Sequence, residues 1–231
     1  MIVAPGNAGP PDLDIHQPEG GALNQPRPVD ERSVWQLVVV ECIFATLAAG
    51  IIYVRHSRGQ IVSTLPLAAQ ATLGILVGSV LGSLTGALLI RSRLRESVIR
   101  GVSPLGRVTA AVWSIVFVGV LAGVGEEMLF RAALQPWLGI GWAALLFGVA
   151  HSGTARLQEG VGPGKAAYLL ATVGAGLLFG ILYRAAGLLT CITTHASFDV
   201  GILLVLAPAI ANFRVGRIAR FDPGQRRMDT K

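Results

Sequence analysis

Long apolar runs dominate this sequence and restrict the folds that it can adopt. Six of them stand out, at roughly residues 34–54, 65–90, 108–136, 139–151, 167–184 and 187–207. A run of about twenty apolar residues is long enough to cross a bilayer as a helix. The mean hydropathy of +0.61 and the charged fraction of 14% also lie far from those of soluble domains. The sequence therefore predicts an all-α fold, a polytopic transmembrane bundle of about six segments.

The basic residues are distributed unevenly between these runs. If the N-terminus is cytoplasmic, fifteen of the nineteen Lys and Arg fall on the cytoplasmic side. The opposite side holds only Arg55, Arg58 and Arg184, and Arg131 lies within an apolar run. Cytoplasmic loops of membrane proteins carry such an excess of positive charge. We therefore expect a multi-pass plasma-membrane protein with both termini in the cytoplasm. The net charge of +6 is then explained by the lipid bilayer as partner, and no nucleic-acid partner is expected.

Composition divides the chain into four parts. Residues 1–33 are rich in Pro, Gly, Asn and Asp, which predicts a disordered cytoplasmic tail. Residues 34–104 hold the N-terminal transmembrane helices, 105–207 hold a polar core, and 208–231 form a basic cytoplasmic tail. Seventeen of the nineteen basic residues are Arg, a bias that suggests a bacterial host.

A four-residue glycine spacing marks the second apolar run. The glycines concerned are Gly74, Gly78, Gly82 and Gly86. This spacing places them in one smooth stripe along a helix, and such stripes let helices approach closely in lipid. We interpret the stripe as a packing surface.

Ionisable residues interrupt the apolar runs at seven positions: Glu41, Glu126, Glu127, Arg131, His151, His195 and Asp199. Inside a membrane each costs a few kcal/mol or more, so such residues indicate a functional site. Measured from the expected turn near residues 136–139, Glu126 and His151 both lie about 18 Å deep. Measured from the next turn, near residues 185–186, His195 lies about 14 Å and Asp199 about 20 Å deep. Three segments therefore contribute to one polar layer, and Glu41 lies close to it.

These residue types fit general acid–base chemistry. A buried Glu beside a His can act as general base and acid toward a water molecule. His195 and Asp199 lie four residues apart on one helix face and can direct hydrogen-bond donors at an oxyanion. Together they suffice for amide hydrolysis by an activated water, without a Ser or Cys nucleophile. The structural alternative for Glu127 and Arg131 is an ion pair that holds two helices in register.

Three motifs carry these residues in order. They are E-E-x-x-x-R at Glu126, Glu127 and Arg131, F-x-x-x-H at Phe147 and His151, and H-x-x-x-D at His195 and Asp199. In this order and spacing they resemble the CPBP intramembrane protease family, also called the Abi or type II CAAX prenyl protease family. The resemblance covers about residues 105–207.

The resemblance implies a helical membrane peptidase whose site opens toward the cytoplasm. By this resemblance, Glu126 and His151 would activate the hydrolytic water, and His195 and Asp199 would form the oxyanion site. The family commonly has Asn at the position of Asp199. Two roles for Asp199 therefore stay open: a protonated hydrogen-bond donor, or a carboxylate that orients His195.

Four further residues are candidates for supporting roles. The resemblance implies that Glu127 and Arg131 brace the motif helix. Phe147 lies one helical turn from His151, so an aromatic ring is expected beside the imidazole. Glu41 matches no family motif and is a candidate because of its depth alone.

No cofactor is expected, because the residues suffice for a metal-free mechanism. The alternative is Zn²⁺ bound by Glu126, His151 and His195 as a three-ligand catalytic site. The zinc-protease motif H-E-x-x-H is absent from the sequence. Metal dependence therefore stays open, with the metal-free site preferred.

The function predicted from these residues is that of an intramembrane endopeptidase acting on a membrane protein or peptide near the cytoplasmic face. One alternative is a non-catalytic immunity or peptide-binding protein of the same family. Another is a small proton-coupled carrier in which Glu41 and Glu126 form the relay. The substrate and the oligomeric state do not follow from the sequence.

Overall fold

The fold is given by a computed structural model that describes residues 31–55, 63–93, 95, 98–99, 111–154 and 163–220. The regular elements in these ranges are all helical. They are α1 (Glu31–Arg55), α2 (Leu67–Arg91), α3 (Val112–Glu127), a π-helical segment (Met128–Leu134), α4 (Gln135–Thr154), α5 (Pro163–Ala186) and α6 (Leu188–Arg220).

Five helical stretches in the described part of the chain are long and apolar enough to cross a membrane. They are Trp35–Arg55, Leu67–Arg91, Val112–His151, Ala166–Ala186 and Leu188–Asn212. The predicted fold class, a polytopic helical bundle with buried polar residues, is confirmed. The prediction of about six segments is close to these five, and two of the predicted segments, 108–136 and 139–151, overlap the single stretch Val112–His151.

A backbone break at Gly139 divides that stretch into two arms. Gly139 has φ 78° and ψ 169°, a conformation that residues other than glycine rarely adopt. Without the break, 40 residues would extend about 60 Å, twice the thickness of the hydrocarbon core. The phenyl rings of Phe130 and Phe147, one from each arm, lie 5.3 Å apart. The two arms therefore form a hairpin, and its turn lies where the sequence predicted one.

Helix α6 lies at the centre of the bundle and packs against α2, α3 and α5. The glycine stripe of α2 is buried and faces α6, which confirms its predicted packing role. A Cβ atom at Gly82 would lie 2.8 Å from the Cα and the carbonyl carbon of Phe198, and one at Gly123 of α3 would lie 2.8 Å from the carbonyl oxygen of Ile192. Glycine therefore allows α2 and α3 to approach the α6 backbone directly.

Replacing Gly82 with Ala is expected to destabilise the bundle, because the new methyl group meets the Phe198 backbone, which cannot rotate away. Overpacking of this kind costs about 1–3 kcal/mol. Gly50→Ala in α1 is the matched control, since a Cβ there meets no atom within 4 Å. We expect a lower apparent Tm in detergent for Gly82→Ala alone. Equal Tm values for the two variants would contradict the close α2–α6 contact.

Exposed aromatic side chains lie near both ends of the bundle. Trp35 and Trp113 lie near the N-terminal ends of α1 and α3, whereas Tyr53 and Trp137 lie near the C-terminal end of α1 and the hairpin turn. Arg55 stacks over the Trp137 ring at 4.1 Å, so the end of α1 and the turn lie at the same end of the bundle. Such aromatic residues are typical of the two membrane interfaces.

The start of α1 and the end of α6 do not coincide with the predicted domain boundaries. Helix α1 begins at Glu31, inside the segment predicted as a disordered tail. Helix α6 continues to Arg220, past the predicted core end at residue 207, because Leu206 and Ile210 pack with Ile99 in a buried cluster. Residues 1–30 and 221–231 lie outside the described residues, and the tails predicted there stay predictions.

Candidate active site

The hairpin at Gly139 brings Glu126 and His151 together. Along a straight helix, 25 residues would separate the two side chains by about 37 Å. In the folded chain, His151 Nε2 lies 3.4 Å from Glu126 Oε2. Glu126 and His151, which were predicted to lie at the same depth, therefore lie side by side in the bundle.

A second group of contacts converges on Glu127, which is fully buried. Arg131 Nε donates to its Oε2 at 2.9 Å, His195 Nδ1 lies 2.7 Å from its Oε1, and Cys191 Sγ donates to Oε2 at 2.8 Å. The ion pair with Arg131 favours the carboxylate form, which can only accept hydrogen bonds. His195 Nδ1 is therefore the donor. This bond fixes the imidazole so that Nε2 points away from Glu127.

His195 Nε2 faces two further carboxyl groups. It lies 3.6 Å from Asp199 Oδ2 and 3.9 Å from Glu126 Oε2. The phenyl ring of Phe179 stacks on the imidazole, with ring centroids 4.9 Å apart and planes inclined by 23°. Together, the Glu127 bond and the Phe179 stack hold the ring so that Nε2 points into the polar layer.

The orientation of His151 is also set by its neighbours. Its Nδ1 lies 3.0 Å from the backbone carbonyl oxygen of Phe147, one helical turn earlier. A carbonyl oxygen accepts and does not donate, so Nδ1 carries the proton and Nε2 is directed toward Glu126. The Phe147 ring lies 4.3 Å from the imidazole, as the sequence spacing predicted. Phe147 therefore supports His151 with both its carbonyl group and its ring.

The exposed fraction of the side chains changes across the site. Glu127 is 0% and His195 4% exposed, whereas His151 is 25% and Asp199 31% exposed. The site is thus sealed on the Glu127 side and open on the side of His151 and Asp199. Glu126 lies between these two sides, with its side chain 11% exposed.

The Glu41 side chain also reaches this region from α1. The residue is 2% exposed and lies against Gly125, directly before Glu126. All the predicted site residues therefore lie in one region of the bundle: Glu41, Glu126, Glu127, Arg131, Phe147, His151, His195 and Asp199. The catalytic and supporting roles assigned to them stay predictions.

Metal binding was left open by the sequence. Within the ranges that the structure describes, no group of three or more His, Cys, Asp and Glu side chains has an arrangement that could hold a metal ion. This includes the set considered above, Glu126, His151 and His195. Metal dependence is a question for a chelation experiment.

Two residues at the site were missed by the sequence interpretation. Cys191 was not among the candidates from the sequence, yet its thiol donates to Glu127. Its position four residues before His195 on the same helix was a usable signal. Phe179, which stacks on His195, lies on α5 in an apolar run, and no feature of the sequence distinguishes it from its neighbours.

Fold and site together define a polytopic helical membrane protein in which carboxyl and imidazole groups from α3, α4 and α6 meet in one buried layer. Residues 108–201 match the family model described as Type II CAAX prenyl endopeptidase Rce1-like. The match confirms the family resemblance of the motifs and supports protease activity in general. No curated protein and no solved structure matches the chain.

Proposed function

We propose that the protein is an intramembrane endopeptidase that hydrolyses a peptide bond with a water molecule activated by Glu126 and His151. The observation that carries the proposal is the pair itself. Glu126 Oε2 and His151 Nε2 lie 3.4 Å apart, and the His151 side chain, 25% exposed, lies on the open side of the site. The same Glu126 oxygen has no hydrogen-bond partner among the described residues, so a water molecule would supply the missing hydrogen bond.

The reaction follows from the donors and acceptors at the site. Glu126 takes a proton from the water while His151 Nε2 accepts a hydrogen bond from the other water hydrogen. The water oxygen attacks the carbonyl carbon of the scissile bond and produces an oxyanion. Glu126 then transfers its proton to the nitrogen of the leaving amine, and the C–N bond breaks. The products are a carboxylic acid and an amine, and the enzyme returns to its starting state.

His195 is the proposed oxyanion donor. Three carboxyl groups surround its ring, those of Glu126, Glu127 and Asp199, and they compensate the charge of an imidazolium. In that form Nδ1–H donates to Glu127 and Nε2–H is available to the oxyanion. Asp199, 3.6 Å from Nε2, then orients His195 and does not need to donate itself. This supports the second of the two roles that the sequence left open.

The proposed substrate is a membrane protein or membrane-bound peptide. His151 lies near the end of α4 that is distant from the Gly139 turn. In the topology inferred from the basic residues, that end is cytoplasmic, so cleavage would occur near the cytoplasmic face. An extended substrate segment would have to enter beside His151 and Asp199, where the site is open.

The test is cleavage of a quenched membrane-peptide library by the purified protein in nanodiscs. Wild type is expected to cleave, and Glu126→Gln is expected not to. A wild type that binds the peptides but cuts none would favour the non-catalytic binding protein. Proton-driven uptake into vesicles that is lost in Glu41→Gln would favour the carrier.

His151→Ala is expected to lower kcat by roughly ten- to a hundredfold, because it removes one hydrogen bond to the attacking water. A chelator is expected to leave wild-type activity unchanged. Loss of activity on chelation, with recovery on adding Zn²⁺, would instead assign Glu126, His151 and His195 as metal ligands. Unchanged activity in His151→Ala would contradict the proposed pair.

A further inference from the structure

Glu41 is the buried acidic residue of the site for which the proposed reaction has no use. It lies on α1, outside the residues 108–201 that match the family, so the match assigns it no role. It is 2% exposed, and its Oε2 has no hydrogen-bond partner among the described residues. A buried carboxyl oxygen without a partner requires a physical explanation.

The backbone of α3 is shaped to receive Glu41. A Cβ atom at Gly125 would lie 2.9 Å from the Glu41 carbonyl oxygen and 3.2 Å from its Cα, so a larger residue there would displace α1. The Glu41 carboxyl group also lies against this glycine. Gly125 thus brings the Glu41 side chain next to the residue that precedes Glu126.

Glu41 differs from the other three carboxyl groups of the layer because it forms no ion pair with a described residue. Glu127 pairs with Arg131, and both Glu126 and Asp199 lie within 4.0 Å of a histidine nitrogen. In the part of the chain that the structure describes, no Lys, Arg or His forms an ion pair with Glu41. A buried carboxyl group without a cation becomes neutral by holding a proton.

We propose that Glu41 is a positioning residue whose protonated carboxyl group donates a hydrogen bond, through one water molecule, to the carboxylate of Glu126. The partnerless buried oxygen of Glu41 is then satisfied, and Oε2 of Glu126 accepts from this water as well as from the hydrolytic water. The bond holds Glu126 in the orientation that directs it at the hydrolytic water. This inference rests on the proposed peptidase function, since it deepens the role of that same site.

The test compares Glu41→Gln with Glu41→Leu in the full-length protein in nanodiscs. The Gln amide still donates a hydrogen bond, so kcat is expected to stay within about twofold of wild type. Leu fills a similar volume without a donor, and kcat is expected to fall on the order of tenfold with KM unchanged. Because Leu removes a buried polar group, the apparent Tm is not expected to fall. Wild-type kcat in Glu41→Leu, or an equal loss in both variants, would overturn the inference.

An infrared measurement tests the same inference without catalysis. The difference spectrum between wild type and Glu41→Gln at neutral pH is expected to show one protonated-carboxyl C=O band in wild type. Replacing Glu126 with Gln is expected to shift that band, because the water molecule that accepts from Glu41 then donates to an amide instead of a carboxylate. A missing or unshifted band overturns the role of Glu41 whether or not peptides are cut. Absence of cleavage by wild type overturns only the peptidase proposal.

Discussion

Glu126→Gln is expected to lower kcat by about 10²- to 10⁴-fold, the usual contribution of a general base or acid. The amide has nearly the same shape as the carboxylate but cannot take a proton from water. The change should leave substrate binding intact, so KM stays near the wild-type value. The measurement is cleavage of a single peptide, chosen from the library, at several substrate concentrations.

The matched control for this prediction is Glu31→Gln. Glu31 is the first residue of α1, about 15 Å along the helix axis from Glu41, so the same chemical change is made away from the site. It is expected to cleave at the wild-type rate. If Glu126→Gln retained most of the activity, another residue would have to activate the water, and the proposed mechanism would be wrong.

Glu127→Leu is expected to cost about 3–5 kcal/mol of stability and to abolish activity, because it leaves the Arg131 charge buried without its counter-ion. Both side chains of this pair are 0% exposed. In the described part of the chain, the Arg131 Nη1 and Nη2 atoms have no hydrogen-bond partner, so no other group would replace Glu127. The measurement is the apparent Tm in detergent, together with the yield of folded protein.

The double variant Glu127→Leu/Arg131→Met separates the two roles of Glu127. Removing both charges is expected to restore most of the stability, since replacing a buried ion pair with apolar residues is often neutral. Activity is expected to stay lost, because His195 Nδ1 would still lack its acceptor. Recovery of activity in the double variant would mean that Glu127 only balances the charge of Arg131 and does not position His195.

The depth of the polar residues could be predicted from the sequence because depth depends only on residue count and turns. Gly139 lies where the turn was expected, so Glu126 and His151 fall at equal distances from it and meet. The i, i+4 spacing of His195 and Asp199 fixed their shared face in the same way. These are local properties, set by the rise and periodicity of a helix.

Contacts that depend on the rotation of one helix against another could not be predicted in this way. From the sequence, the only partner expected for Glu127 was Arg131, in an ion pair within the same helical stretch. Its bonds to Cys191 and His195 require α6 to present one particular face to α3. A π-helical segment, Met128–Leu134, also follows Glu127 directly, and no residue type in it distinguishes it from an α-helix.

The contact between Gly125 and Glu41 has a consequence for how the protein can be divided. Part of the site is closed by α1, although α1 lies outside the region shared with the family. A fragment of residues 105–207 would retain Glu126, His151 and His195, but it would leave Gly125 of α3 without the α1 backbone that packs on it. The region that matches the family is therefore not a self-contained packing unit in this chain, and we expect that transplanting it requires the first helix as well.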